Sequence, residues 1–269
     1  LSHRLAEKAI AAMAFVAIAA IVLIFAFILK EALPLFWEED AVAELGGLSA
    51  LWSPRQWEGY AEPVYVWQPV GGQPKLNVVP LFVGTLKVTV LAMLLSVPIG
   101  VGAAIFVAQY APKRVREIVK PALELLASVP SVVLGFFALI VLASWLQAAF
   151  GLEYRLNALT AAVGMSLAVI PMIFTISEDA LRAVPWHLSE ASMALGARKW
   201  QTTLRIVVPA ALPGIAAAVI LGFGRAIGET MVVLMASGNA AVMEVFDPTT
   251  SVRTVTATIA AELGEVPQG

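Results

Sequence analysis

Five stretches of this chain are apolar for long enough to cross a lipid bilayer, and that limits what it can fold into. Ala9–Leu29, Leu125–Leu146 and Leu159–Ile176 carry no charged residue. Val78–Val107 carries only Lys87, and Pro213–Ser237 carries Arg225 and Glu229. A spanning helix needs roughly 20 apolar residues. Lipid offers no partner for backbone N–H and C=O groups, and the stretches lack strand-like alternation, so each is predicted to be a helix. Hydrophobic residues are 60% of the chain and charged residues only 13%, against about 25% charged in an ordinary soluble domain. That balance argues against a soluble enzyme, a nucleic-acid partner and a disordered linker. With no Cys, disulfides, thiolate metal sites and Cys nucleophiles are excluded. The fold class is an all-α polytopic membrane protein in contact with lipid, with five transmembrane helices.

The first stretch exceeds the roughly 7–15 apolar residues of a cleaved leader. The charged run Glu38-Glu39-Asp40 also separates it from the cleavage-like Ala41-Val42-Ala43. It reads as an anchor. Orientation follows from the basic residues, which favour the cytoplasmic side. Arg4 and Lys8 precede the first stretch, Lys113, Arg114, Arg116 and Lys120 follow the second, and Arg182, Arg198, Lys199 and Arg205 follow the fourth. All of these fall on one side. Lys30, Arg55, Lys75, Arg155 and Arg253 fall on the other. The amino terminus is therefore expected inside and the acidic loop after the first helix outside. The organisation reads as a 1–30 anchor, a 31–77 external loop, a 78–237 transmembrane core and a 238–269 external segment. Five crossings leave that last segment outside, so a sixth helix is expected to be missing or truncated.

The inside segment 181–209 carries the strongest signal. Pro185 suits a first helical turn, where no backbone donor is needed. Leu188, Ala191, Met193, Ala194 and Leu195 supply a small apolar face, and Gly196 suits a left-handed helix end. Arg198–Ile206 begins a second helical piece before Pro209 and Pro213. Glu190-Ala191-Ser192, Gly196, Ile206 and Pro209 resemble the EAA loop of ABC-importer permeases, a pattern of Glu-Ala-Ala, three residues, Gly, nine residues and Ile-x-Leu-Pro. The chain departs from it at Ser192 and Val208. The resemblance implies a type I ABC-importer permease bundle. Glu190, Ala191, Gly196 and Pro209 would then belong to a coupling helix that docks in a cleft of a cytoplasmic ATPase.

Arg225 and Glu229 lie mid-bilayer, where a charge costs about 2.5–3.5 kcal/mol even on a lenient scale. Four residues apart, they would share a helix face and could pair with each other. Gly222, Gly224 and Gly228 around them would admit a neighbouring helix or a solute. A structural ion pair is the plainer alternative. The segment Gly222–Val233 resembles the permeases of phosphate importers, in which the Arg-x-x-Gly-Glu-Thr run, here Arg225 to Thr230, lines the path between two permeases. Arg225, Gly228, Glu229 and Thr230 are thereby implied to line a substrate path. A guanidinium fork suits phosphate, and Glu229 competing for it would keep the hold weak enough for conduction. Ser128-Val129-Pro130-Ser131 followed by Gly135-Phe136-Phe137, and the segment Ser251–Val266, resemble the same family. Within it, the long first outside loop and the runs Gly228–Val233, Ser251–Thr254 and Thr258–Val266 resemble the C-type rather than the A-type permease. Pro130 is expected to bend the third helix, with Ser131 rebonding freed carbonyls.

The resemblance implies an A-type permease, an ATPase dimer and an external phosphate-binding protein as partners, in a bacterial inner membrane. The chain has no phosphate-binding Gly-x-x-x-x-Gly-Lys-Ser/Thr loop, so no cofactor is expected here and ATP with its magnesium would sit on the ATPase. The chain is not read as an enzyme. Lys87 is expected to snorkel toward headgroups, with attraction of phosphate as the sharper alternative. His3 and His187 lack partners at metal-ligand spacing. Trp37, Trp52, Trp57, Tyr60, Tyr65 and Trp67 suit an interfacial belt or a docking surface for a binding protein. The Thr-rich 249–258 stretch with Arg253 suits solvation or an anion at the outer mouth. The alternatives are a permease for another oxyanion or an amino acid, and an ion-coupled secondary transporter, which would often show inverted repeats.

Overall fold

The structure is a computed structural model that describes residues 2–38, 42, 47–70, 74–241 and 243–262. Glu39 and Asp40, the Ala41 and Ala43 of the cleavage-like tripeptide, and the 263–269 end of the external segment lie outside the described residues. Two compact units emerge, Leu1–Tyr65 with Pro69–Asn77, and Val66–Gln68 with Val78–Gly269.

The first unit holds α1 (Ser2–Ala32), apolar and unburied throughout its spanning stretch. Asn77 ties the rest of this unit together, donating from Nδ2 to the carbonyls of Ala50 (3.1 Å) and Ser53 (2.9 Å). Lys75 Nζ stands 5.4 Å over the Trp57 ring and 5.2 Å over Tyr60, a cation–π arrangement. Two of the six clustered aromatics therefore hold a cation of their own loop.

The second unit contains α2 (Val79–Gln109), α3 (Lys113–Ser128), α4 (Ser131–Phe150), α5 (Ala158–Ala183), α6 (Trp186–Ala194), α7 (Lys199–Ile227), α8 (Met231–Ala236) and α9 (Val255–Glu262). Helices α1, α2, α4, α5 and α7 are long and apolar enough to cross a membrane. In α2, Leu81, Thr85, Val88, Ala92, Ser96, Gly100, Ala104 and Val107 are buried. Their spacing of three or four residues makes one continuous stripe. That stripe meets α5, which also meets α7, and α2 and α7 touch each other as well.

Lipid tails are as apolar as Leu, so helices associate here by close packing at small residues rather than by a hydrophobic drive. Ile173, fully buried on α5, fits between two glycines. A Cβ on Gly100 would lie 2.9 Å from its Cγ2, and one on Gly222 would lie 2.8 Å from its Cγ1. A Cβ on Gly214 would meet the Ala180 methyl at 2.4 Å.

Three predicted boundaries change. The third apolar stretch is not one helix from Leu125. Residues 125–128 end the amphipathic α3, Val129 and Pro130 are extended, and a new helix starts at Ser131. The residue before a proline is pushed out of the helical region, so Pro130 separates two helices instead of bending one. Ser128, not Ser131, rebonds a carbonyl, from Oγ to Leu125 O at 2.7 Å. The fourth helix runs past Ile176 to Ala183 and carries Glu178 and Arg182. The fifth begins at Lys199 rather than Pro213 and ends at Ile227 rather than Ser237. It contains a π-helical turn at Thr203–Val207. Pro209 removes a donor and crowds the carbonyl four residues back, Arg205, which that turn displaces.

Gly222→Leu is expected to lower stability by about 1–3 kcal/mol through overpacking against Ile173. Gly224→Leu, where an added Cβ meets nothing within 4 Å, serves as the neutral control. Thermal unfolding of the purified chain in detergent measures both.

Candidate functional site

The 181–209 segment folds as its residues suggest. Helix α6 ends in a paired closure. Ala197 N–H donates to Ser192 O (3.2 Å), and Gly196 N–H donates to Met193 O (2.9 Å). Gly196 has φ +87°, and a Cβ there would meet open space. The glycine is required by backbone conformation alone. Ser192, the departure from Glu-Ala-Ala, has its Oγ 3.0 Å from Thr202 Oγ1, a link from α6 to the start of α7. Gln201 Oε1 accepts from Arg198 N–H at 2.8 Å and caps that start. Glu190, Ala191, Gly196 and Pro209 are all exposed. So are Trp186 at 70% and Leu195 at 90%. Both are large apolar side chains left bare outside the apolar core of the unit.

The predicted Arg225–Glu229 pair is absent among the described residues. The helix that was to align them ends at Ile227, and Gly228, Glu229 and Thr230 form a break before α8. Glu229 turns away and is buried. Its Oε1 accepts from Thr230 N–H (3.2 Å) and Val232 N–H (3.4 Å), which places a carboxylate at the positive end of α8. Glu229 O accepts from Thr256 Oγ1 at 3.0 Å, and Thr230 Oγ1 donates to Gly228 O at 3.3 Å. Gly228 is exposed. Arg225 sits in the last turn of α7, where the helix dipole favours a cation. It is exposed and has no hydrogen-bond or ion-pair partner among the described residues. Gly222 meets Ile173, near the middle of α5, so Arg225, one turn further on, lies on the outer face of the bundle at about the level of mid-α5.

Lys87 is not a snorkelling lysine. It is 9% exposed, and its Nζ donates to Glu244 O (2.7 Å) and Thr250 Oγ1 (2.8 Å). The 244–250 loop so held closes the start of α5. Ala158 N–H donates to Thr250 O and Leu159 N–H to Pro248 O, beside the Asn157 side-chain cap on Thr160. Asp247 is held below the usual carboxylate range by the Thr249 hydroxyl first and the Thr249 N–H second, with the Lys87 charge adding to both. That contribution is present above the ordinary Asp pKa and is lost as pH falls through the depressed value. Arg253 pairs with Glu262 at 2.8 Å, and Glu262 also accepts from Trp67 Nε1 at 3.1 Å.

One cluster went unseen in the sequence. Glu178 is fully buried near the C-terminal end of α5. Lys120 Nζ on α3 lies 3.0 Å from its Oε2 and 2.9 Å from Asp179 Oδ1. Arg182 Nε lies 2.8 Å from Glu178 Oε1, an ion pair whose angles do not make a hydrogen bond. The Lys120 pKa is raised by hydrogen bonding to Asp179 first and Glu178 second. Its contribution is whole below the ordinary lysine pKa and is lost only as pH rises through the raised value. The Ser177–Arg182 run held the signal, an acid four residues before a base at the end of an apolar helix.

Residues 96–257 match the family described as binding-protein-dependent transport system inner membrane component. The chain belongs to this family. Both the EAA-like loop and the 228–230 break fall inside the matched residues. Among curated relatives, the probable ABC transporter permease protein YqgH of Bacillus subtilis is 36% identical over 203 residues, 76% of this chain and 65% of that protein. The phosphate transport system permease protein PstC of Mesorhizobium japonicum is 34% identical over 220 residues, 74% of this chain and 66% of its own length. PstC of Xylella fastidiosa is 30% identical over 268 residues, 92% and 78%. The chain spans just under two thirds of the first two relatives. Its fold is that of an ABC-importer permease. A solved inward-facing MetNI methionine ABC transporter superposes with a TM-score of 0.54 at 19% identity, over 69% of this chain and 79% of that one.

Gly196→Ala is expected to strain the left-handed turn by about 1–2 kcal/mol and to speed amide hydrogen exchange at Gly196 and Ala197. Gly196→Asn, better suited to that conformation, changes exchange less. Lys87→Met is expected to speed exchange at Ala158 and Leu159, whose acceptors sit on the loop that Lys87 holds.

Proposed function

We propose that the chain is a transmembrane permease subunit of an ATP-driven importer that carries inorganic phosphate across a bacterial inner membrane, with its amino terminus in the cytoplasm. The observation that carries this reading is Arg225, a bare guanidinium on the outer face of a membrane bundle at about the level of mid-α5. Such charges face a bundle interior or a water-filled path, and this one faces out of its own chain. A second permease, of the A-type, across that face would enclose a path lined by Arg225, Gly228 and Thr230. A guanidinium offers a phosphate oxyanion two parallel donors. The PstC names of two relatives and the Arg-x-x-Gly-Glu-Thr run favour phosphate over other oxyanions or an amino acid.

Glu229 is committed to α8, so it does not weaken the grip of Arg225 directly. Release instead requires the 228–230 break to shift when the bundle changes state. The drive for that shift would come from a cytoplasmic ATPase dimer, which binds ATP and magnesium and receives α6. Glu190, Ala191 and Gly196 shape that docking helix, and Pro209 shapes its return to the membrane. An external phosphate-binding protein would deliver the substrate.

Phosphate uptake by proteoliposomes holding the complete transporter tests the reading. Arg225→Ala is expected to cut uptake about tenfold or more, the scale of a lost charge-assisted contact, with the ATPase still co-purifying. Arg225→Lys, which keeps charge but loses the fork, retains part of it. Undiminished uptake by Arg225→Ala in an intact complex would overturn it.

A further inference from the structure

We propose that Glu178, bridged by Lys120 and Arg182, is a joint that makes α3 travel with the end of α5 from which α6 hangs. Lys120 and Glu178 are thereby positioning residues for coupling. The inference rests on the reading of α6 as the ATPase-docking helix.

Glu178 shares a helix face with Phe174 and Leu181, both fully buried. These two pack with Val107, Val207, Ala211 and Ile215 in one apolar cluster. An apolar residue of similar size would suit that face, and buried ion pairs are generally no more stabilising than such a residue. What the pair adds is geometric. Helix α3 buries none of its residues. It rests on that cluster through the half-buried Val119 and Leu123, and on the neighbouring core through Leu126, apolar contacts that carry no direction of their own. Two cations fix its place. Arg116 donates to Val107 O and Ala108 O at the end of α2, and Lys120 reaches Glu178 and Asp179 on α5.

The joint sits where motion would pass. Arg182 and Glu178 occupy the last two turns of α5, immediately before Pro185 and α6. Helix α3 leads through the Pro130 break into α4. There a Cβ on Gly135 would lie 2.9 Å from Met231 O at the start of α8, next to the break that follows Arg225. A displacement of α6 would pull α5 and, through Lys120, α3 and α4. Without the ammonium, α3 would keep the Arg116 hold on α2 and be left on apolar contacts alone against α5.

The chain has no Cys, so paired spin labels at Lys113→Cys on α3 and Ala183→Cys on α5 report on the joint alone. Both positions are exposed. Electron–electron distances are read on the transporter with its ATPase, at rest and after trapping with ATP and vanadate. The native pair is expected to give one narrow distance that holds within roughly 2 Å between states. Lys120→Met and the isosteric Glu178→Gln are expected to broaden it and make it differ between states, and Lys120→Arg to restore it. In the unlabelled proteins, Lys120→Met is expected to keep hydrolysing ATP while uptake per ATP falls, and Lys120→Arg to recover the ratio. Native distances in both variants, or a native uptake ratio in Lys120→Met, would overturn the joint. A native transporter that moves no phosphate yet shows the expected distances would overturn the substrate and leave the joint standing.

Discussion

Ile173 lies between Gly100 and Gly222, and the bundle is organised around that contact. In lipid, side chains gain little by leaving one apolar surface for another. Helices must therefore approach until dispersion contacts are dense, which the two glycines permit on either side of one branched side chain. Helix α5 becomes the axis of the unit, with α2 and α7 both packed against it and against each other. Its ends are then fixed points. Asn157 and the 248–250 carbonyls close one end, and the Glu178 cluster anchors the other.

Against that axis, the two breaks have a clear physical status. Non-helical backbone at membrane depth is tolerated only where its polar groups find partners in protein or water. At 228–230, Gly228 N–H donates to Gly224 O, the Glu229 carboxylate accepts from two amides, and Thr256 supplies a donor to Glu229 O. At 129–130, the proline needs no partner for a donor it lacks. A break whose own groups are satisfied costs less to keep and can be placed where a path needs it.

The spans were legible because bilayer thickness imposes a length that random apolar clusters do not reach. Gly196 was legible because only a left-handed residue fits a helix end at that point, and its φ of +87° agrees. The end of α7 was not. Gly and Thr are tolerated within transmembrane helices, so Gly228-Glu229-Thr230 inside an apolar run carried no stop signal. Glu229 four residues after Arg225 invited a pair that the true helix end forbids. Helix α3 was hidden because Lys113, Arg114, Arg116 and Lys120 read as a basic loop, although Val115, Ile118, Val119 and Leu123 give it an apolar side. The partners of Lys87, and the Lys120 partner of Glu178, lie on other elements, and no local pattern in the sequence names them.

The buried or membrane-depth charges divide into two kinds. Lys87, Glu178 and Glu229 each find partners within the chain. Each fixes one element against another, a loop on α2, α3 on α5, or α8 on its break. Arg225 finds none among the described residues. The cost of holding a charge in the bilayer is the same kind of cost in every case. In the first three it is offset by groups of the chain itself. Of these four, Arg225 alone is left without a partner among the described residues, and for that reason it, more than the carboxylate four residues on, carries the proposed path.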